Sequence, residues 1–198
     1  TEINNLNPAN FALIPQNSFF YDVGIRGKYN DYSNRIYNES KTTFNFSNLA
    51  LAFRIAERLG AGIALIPYTD VGYTLVGVKT NIEGSEESFE SNVNGLGGMS
   101  DLNFNLGYGI TDNLRFGASF SVLFGKIEEE ESFQVYGSAL VSTEDTNYSG
   151  ARVGLGLQYD LTNKITIGST VQLPTSLKGN VRRSVIKSLG GVEIEVEE

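Results

Sequence analysis

Tight polar turns between two runs of alternating apolar and small or polar residues recur along this chain, and they constrain its fold more than any other feature. The two clearest copies are residues 110–119 and 161–170, and a looser copy lies at 55–64, so the turns recur about every 50 residues. Such alternation is typical of β-strands, and a short polar turn between two alternating runs predicts an antiparallel hairpin. The sequence therefore predicts an all-β protein built from hairpins laid side by side.

Seven alternating segments are visible, and several are about as long as a tilted membrane-spanning strand, which needs roughly 9–11 residues. They lie at residues 18–29, 43–56, 61–80, 102–110, 114–125, 152–159 and 165–173, and the run 192–197 is interpreted as the start of an eighth strand. Acidic or Gly-, Ser- and Asn-rich segments separate them on the side opposite the turns. These segments are predicted to be long loops, at residues 30–42, 80–98, 126–148 and from 174 onward. No long helix is predicted.

The two faces of the predicted strands differ in chemistry. In the segment 114–125, Leu, Phe, Ala and Val residues alternate with a second set that is mostly Gly and Ser. A soluble exterior normally carries many Lys and Glu residues, whereas only 19% of this chain is charged. The pattern therefore favours an antiparallel transmembrane β-barrel whose apolar face contacts lipid and whose small-residue face lines a crowded lumen. A soluble, lipocalin-like β-barrel is the alternative fold.

Short turns on one side and long loops on the other are typical of outer-membrane barrels, in which the turns face the periplasm. The turns at 57–60, 111–113 and 161–163 are therefore predicted to be periplasmic, and the chain is expected in a bacterial outer membrane. Residues 1–17 contain two prolines and show no periodicity. We expect them to form a separate N-terminal segment that folds into the lumen, and residues 18–198 to form the barrel.

Composition excludes several classes of function. The net charge is −8, and no basic stripe is present, which argues against nucleic-acid binding. The chain has no Cys and no His, so the usual ligands of zinc, haem and copper are missing, and neither a metal site nor a cofactor is predicted. Ser184-Val-Ile-Lys187 has the Ser-x-x-Lys spacing of some acyl enzymes without their companion motifs, so no catalytic residue is predicted.

Five charged residues share the parity of the small-residue face and are predicted to point into the lumen: Asp22, Arg26, Arg54, Arg115 and Arg152. Buried charges need partners, so we expect ion pairs between the barrel and the N-terminal segment. The alternative is that these arginines contact a carboxylate group on a bound substrate.

Several short motifs point to a known family. They are Asn7-Pro8-Ala9, Ile66-Pro67-Tyr68 with Val71-Gly72-Tyr73, and Gly97-Gly98-Met99-Ser100. Together they resemble the FadL/TodX family of outer-membrane transporters of hydrophobic compounds, in the form common in Bacteroidetes-type envelopes. The resemblance implies a 14-stranded barrel, an N-terminal hatch inside the lumen, and lateral release of substrate at a kink in the third strand.

Carried over by position, the hatch would contain Asn7, Pro8 and Ala9, and the kink or lateral gate would contain Pro67, Tyr68 and Gly72. Since only seven or eight strands are visible, the chain would be the N-terminal half of such a protein.

The function that this resemblance implies is passive uptake of small hydrophobic compounds such as long-chain fatty acids, with the hatch and the strand-three kink as a gate. The partners would be those compounds, outer-membrane lipid and lipopolysaccharide. A different class stays open. It is a non-transporting outer-membrane barrel that acts as a scaffold or shuttle in a secretion or assembly complex, with envelope proteins as partners.

Overall fold

The structure, a computed structural model, describes residue 3 and residues 6–33, 38–81, 88–135, 138–189 and 192–197. Within these ranges it contains one short 3₁₀ helix (Pro8–Leu13) and nine β-strands. The strands are β1 (Phe19–Ser33), β2 (Asn38–Ala56), β3 (Leu59–Asn81), β4 (Ser88–Gly109), β5 (Leu114–Val135), β6 (Ser138–Thr162), β7 (Ile165–Gln172), β8 (Lys178–Leu189) and β9 (Val192–Glu197). No helix in the described ranges is long and apolar enough to cross a membrane.

The nine strands form one sheet, in which chain neighbours are also hydrogen-bonded neighbours from β1 to β6. Besides β5, β6 has two further partners along its length: residues 138–149 pair with β8, and residues 154–162 pair with β7. β8 then pairs with β9. These pairings are antiparallel, as are those of β1 with β2 and of β2 with β3. The prediction of an all-β, antiparallel architecture is therefore confirmed.

The strands are longer and more numerous than the alternation predicts. β1 continues to Ser33 and β5 continues to Val135, through residues that we expected to be loops, and β8 lies in the region expected to be a loop from 174 onward. β9 coincides with the run 192–197, where an eighth strand was expected to start. Within the expected loops at 30–42, 80–98 and 126–148, the described residues are strand, so the expectation is wrong for them; residues 34–37, 82–87 and 136–137 lie outside the described residues. Ladder hydrogen bonds join backbone groups, so a strand can continue where its side chains are polar on both faces.

Contacts within the sheet divide the chain into two compact units, which are described separately. The first comprises Thr1–Pro67, Asp101–Val122 and Ala151–Thr175, and the second comprises Tyr68–Ser100, Leu123–Gly150 and Ser176–Glu198. The charges divide unequally between them. The first unit has 8 acidic and 9 basic residues, whereas the second has 15 acidic and 6 basic residues. The net charge of the chain therefore resides in the second unit.

In the first unit, the turns lie within a residue or two of the predicted positions. They occupy residues 57–58, 110–113 and 163–164. Two of them are closed by the same device, a threonine hydroxyl that accepts backbone N–H groups. Thr111 Oγ1 accepts from Leu114 at 3.0 Å, and Thr162 Oγ1 accepts from Ile165 at 3.1 Å. This shared hydrogen bond is the physical basis of the sequence repeat.

The two faces of the first unit also follow the predicted parity. On β1, Tyr21 and Ile25 are 74% and 79% exposed, and large apolar residues on β4 to β7 are exposed in the same alternating way. On the other face the residues are small and buried, for example Ala50 and Ala52 on β2. The large apolar side chains of this unit therefore do not converge into a water-excluding core.

A bulge explains why the exposed apolar residues of β2 switch from even-numbered to odd-numbered positions halfway along the strand. Gly24 on β1 faces Asn48, but the next residue, Ile25, faces Phe46, so Ser47 is the extra residue on β2. The bulge places Phe46 and Leu49, which have opposite parity, on the same exposed side. Gly24 has no side chain, and a Cβ there would overlap both Ser47 Oγ and Asn48 Oδ1.

The second unit is held by polar contacts between neighbouring strands. Lys126 Nζ lies 2.9 Å from an oxygen of Asp145, and Arg183 Nη2 lies 2.6 Å from an oxygen of Glu144. The ring of Tyr73 lies over Gly95, where a Cβ would overlap it. Most of these groups are exposed, so the second unit presents a charged surface suited to water.

Candidate functional site

The N-terminal segment begins with a local helix-start signal. Asn7 caps the 3₁₀ helix, because its Oδ1 accepts a hydrogen bond from the backbone nitrogen of Ala9 at 3.0 Å. Pro8 follows at the first helical position, where its missing N–H is not needed. The helix ends at Leu13, and Ile14 returns to an extended conformation. The local sequence is thus sufficient to explain this turn of helix.

This short helix lies directly on the small-residue face of the first unit. Five glycines contact it so closely that a Cβ at any of them would overlap atoms of residues 7–12, and they are Gly60, Gly62, Gly107, Gly117 and Gly156. These glycines lie on four strands, β3 to β6. The overlapping atoms are backbone atoms of the segment at Gly60, Gly107 and Gly117, and ring or side-chain atoms at Gly62 and Gly156. Glycine is favoured at this surface because the segment lies too close to the sheet for a side chain.

Apolar contact adds to this close approach. Phe11 is buried, and it forms a small cluster with Ile14 and with Ala52 on β2. Phe20 and Ile3 pack against the same cluster. The hydrophobic core of this unit thus consists largely of the N-terminal segment and the small residues beneath it.

Two polar side chains fix the segment to the sheet. Arg54 on β2 donates through Nη1 to the carbonyl oxygens of Ala12 and Ile14, both at 2.6 Å. At the other end, Asn7 Nδ2 donates to the carbonyl oxygen of Leu157 on β6 at 3.2 Å. The carbonyl groups at the end of a helix lack intrahelical partners, and the guanidinium group supplies charge-assisted donors to them.

The other predicted lumen residues have different surroundings. Arg115 forms a two-bond ion pair with Asp160, through Nη1 to Oδ1 and Nη2 to Oδ2. Arg152 Nη2 lies 2.5 Å from Asp101 Oδ2. These arginines pair with carboxylates on other strands, so their recorded ion pairs lie within the sheet. Asp22 and Arg26 lie on β1, half-buried and exposed respectively, and neither forms an ion pair with another described residue.

A buried polar network lies beside the Asp101 pair, and the sequence reasoning missed it. Asn103 Nδ2 donates to Ser121 Oγ at 2.7 Å, and Asn105 Nδ2 donates to Asn103 Oδ1. Asn105 is only 1% exposed, and its Oδ1 accepts no hydrogen bond from the described residues. The parity of 101, 103 and 105, which places all three on the small-residue face, was the signal that could have found this network.

The residues expected at a lateral gate divide between the two units, with Pro67 in the first and Tyr68 and Gly72 in the second. β3 runs without interruption through Pro67, Tyr68 and Gly72. Pro67 is half-buried, Tyr68 is exposed, and a Cβ at Gly72 would meet open space. In the first unit, the structure therefore places Asn7, Pro8 and Ala9 on the small-residue face, with Arg54 bound to the other end of the same segment.

Comparison with known proteins corrects the family expected from the short motifs. A family model described as BamG matches residues 1–196, which is nearly the whole chain. No curated protein and no solved structure gives a significant match. BamG is distinct from the FadL/TodX transporters, so the resemblance to that family is wrong. The implied main function, passive uptake of fatty acids and similar compounds, is overturned by the same match. The chain belongs to the BamG family.

Proposed function

We propose that the protein is a non-transporting outer-membrane subunit that acts as a scaffold in an assembly complex. The name of its family points to the BAM complex and to assembly at the bacterial outer membrane. Envelope proteins are then its expected partners, in place of small hydrophobic molecules.

One observation carries this proposal: the protein's own N-terminal segment occupies the small-residue face of the first unit. A transport path along that face would need space for a solute between the segment and the sheet. Instead, Pro8, Ala9 and Phe11 lie within overlap distance of any Cβ on the glycines beneath them. Arg54 and Asn7 add hydrogen bonds at both ends of the segment. A face filled in this way favours a structural role.

The opposite face supports insertion of the first unit into lipid. Large apolar side chains are exposed on every strand of this unit, including Ile25, Leu106, Phe120, Leu155 and Ile167. Leaving them in water would cost about 25 cal/mol for each Å² of apolar surface. We infer that they contact acyl chains, as part of a transmembrane barrel whose short turns face the periplasm. The acidic second unit favours an aqueous environment.

The proposal is tested by isolating the full-length protein from its own envelope in a mild detergent and weighing the intact particles by native mass spectrometry. A scaffold should leave the membrane with protein partners in fixed, whole-number stoichiometry. Recovery of the protein alone, carrying a fatty acid or similar ligand, would refute the scaffold role. Recovery in the aqueous fraction without detergent would refute the membrane location and favour a soluble barrel.

A further inference from the structure

A cleft of about 290 Å³ opens in the first unit beside the end of the N-terminal segment. Three parts of the chain line it: the stretch from Ala12 to Gln16, the β2–β3 turn with Arg54, Glu57 and Arg58, and the β4–β5 turn with Asp112 and the nearby Arg115. Three guanidinium groups therefore meet two carboxylates around one concave surface. The scaffold function proposed above does not assign any task to this surface.

The three arginines differ in how their charges are balanced. Arg115 is neutralised by the Asp160 ion pair. Arg58 Nη2 lies 3.1 Å from Asp112, and these side chains are 47% and 92% exposed. Arg54 is bound only to carbonyl oxygens, those of Ala12, Ile14 and Ala56, and its Nη2 has no acceptor among the described residues. Among the described residues, the Arg54 guanidinium thus has no carboxylate at ion-pair distance, although the Glu57 carboxylate lines the same cleft.

The Arg54 guanidinium is also held in place. Three hydrogen bonds of 2.6 to 2.8 Å fix the Arg54 guanidinium against the backbone. A fixed guanidinium loses little side-chain entropy when it binds an anion, and the N–H groups of Nη2, which have no acceptor among the described residues, can donate to a carboxylate. The cleft therefore has the features of a prepared site for a carboxylate group.

We propose that the cleft receives an Asp or Glu side chain from a loop of a protein partner, and that this contact helps to hold the partner on the scaffold. The inference rests on the proposed scaffold function and adds the chemistry of one contact. A volume of about 290 Å³ is at the small end of ligand pockets, so it suits one side chain with its flanking backbone. Glu57 and Asp112 repel any incoming anion, a carboxylate as well as a phosphate, so the Asp or Glu must come on a loop that also carries Lys or Arg to pair with them.

The test uses the full-length protein purified with its partners. Arg58→Glu reverses a charge at the cleft rim without touching the Arg54 hydrogen bonds, and Arg58→Gln removes the charge without reversing it. Lys164→Glu is the matched control, because Lys164 is an exposed cation in the β6–β7 turn of the same unit and does not line the cleft. The amount of partner retained per scaffold is measured by native mass spectrometry at increasing salt concentration.

We expect Arg58→Glu to lower partner retention about ten-fold, Arg58→Gln to lower it less, and Lys164→Glu to leave it unchanged. A photo-crosslinking amino acid at Gln16, which lines the cleft, should attach to a partner peptide that contains Asp or Glu. Equal retention in all variants, or an equal loss in Arg58→Glu and Lys164→Glu, would overturn the proposal. Loss of a bound anionic lipid, with the protein complex intact, would overturn it in favour of a lipid site. Absence of any stoichiometric partner from the wild-type protein would instead refute the scaffold function.

Discussion

The backbone nitrogen of Ala9 lies against Gly117 on β5, so close that a methyl group at Gly117 would overlap it. The nitrogen is a main-chain atom, and the added methyl carbon would be bonded directly to the main chain. Neither residue can relieve the overlap by changing a side-chain rotamer. The close approach therefore couples the position of the N-terminal segment to the absence of a side chain on the sheet.

We predict that Gly117→Ala displaces the segment and destabilises the first unit by about 1–3 kcal/mol, the usual range for overpacking. Gly72→Ala is the matched control, because a Cβ there meets nothing within 4 Å. Because alanine lowers the conformational entropy of the unfolded chain, this control should be neutral or slightly stabilising. Urea unfolding of the detergent-solubilised proteins, followed by circular dichroism, measures both changes. Equal midpoints for the two variants would show that the segment does not rest on Gly117.

Arg54 provides a second prediction about the same segment. Replacing Arg54 by Ala removes the donors to Ala12 and Ile14, and hydrogen bonds to charged groups contribute about 1.5–3 kcal/mol each. We expect amide hydrogen exchange of residues 9–14 to accelerate. The control is Arg58→Ala, which removes only an exposed ion pair and the bond to Ile110 and should cost less than about 1 kcal/mol. Unchanged exchange in Arg54→Ala would mean that the glycine contacts alone retain the segment.

The hairpin turns and the chemistry of the two faces could be predicted from the sequence, because both depend on local properties. Thr111 and Thr162 close their turns with hydrogen bonds to residues three positions later. Apolar alternation places Leu106 and Phe120 on the exposed face without reference to any distant residue. Both patterns can be recognised within a window of about ten consecutive residues.

The length of the strands could not be predicted in the same way. The run Glu128–Glu131 has no period-two pattern, yet it lies inside β5. Its strand is continued by backbone pairing and by charge pairs such as that of Lys126 with Asp145. Those partners lie on another strand, and nothing in a local window identifies them.

The mistaken assignment to the FadL/TodX family also has a physical explanation. Asn7-Pro8-Ala9 is a capping residue followed by proline at the first helical position, as the structure shows. Any protein that starts a short helix can use this combination, so it carries little information about descent. Likewise, Gly60 and Gly62 were not recognised as part of the site, because only the folded segment shows why no side chain fits there.

The Arg115–Asp160 ion pair allows a test of how the charges in the first unit are stabilised. Arg115 is buried, whereas the Asp160 side chain is 25% exposed. Removing one partner of such a pair leaves the other charge buried and unpaired, so we expect Asp160→Ala to destabilise the first unit through the stranded Arg115 guanidinium. The double variant Arg115→Met, Asp160→Ala should recover part of the loss, since it leaves no buried charge unpaired. Additive unfolding free energies in this cycle would contradict the proposed coupling.

The hydrogen bond between Tyr73 and Glu129 in the second unit predicts a change of stability at alkaline pH. Tyr73 Oη donates to Glu129 Oε2 at 2.5 Å, and this bond, with a smaller effect of burial, raises the pKa of Tyr73 above its ordinary value of 10.0. A raised pKa means that the folded protein favours the protonated phenol. The stabilisation is therefore present below about pH 10 and is lost as the pH rises through the folded-state pKa.

We expect Glu129→Gln to lower the pKa of Tyr73 towards 10.0, because amide replacement removes the negative charge that opposes ionisation. The measurement is the ultraviolet absorbance of tyrosinate as a function of pH, taken as the difference between each protein and its Tyr73→Phe version. Glu130→Gln removes the same charge one residue along β5 and should shift the pKa much less. If both glutamine variants moved the Tyr73 titration equally, the cause would be the overall negative charge of the second unit, and the direct hydrogen bond would not be needed to explain it.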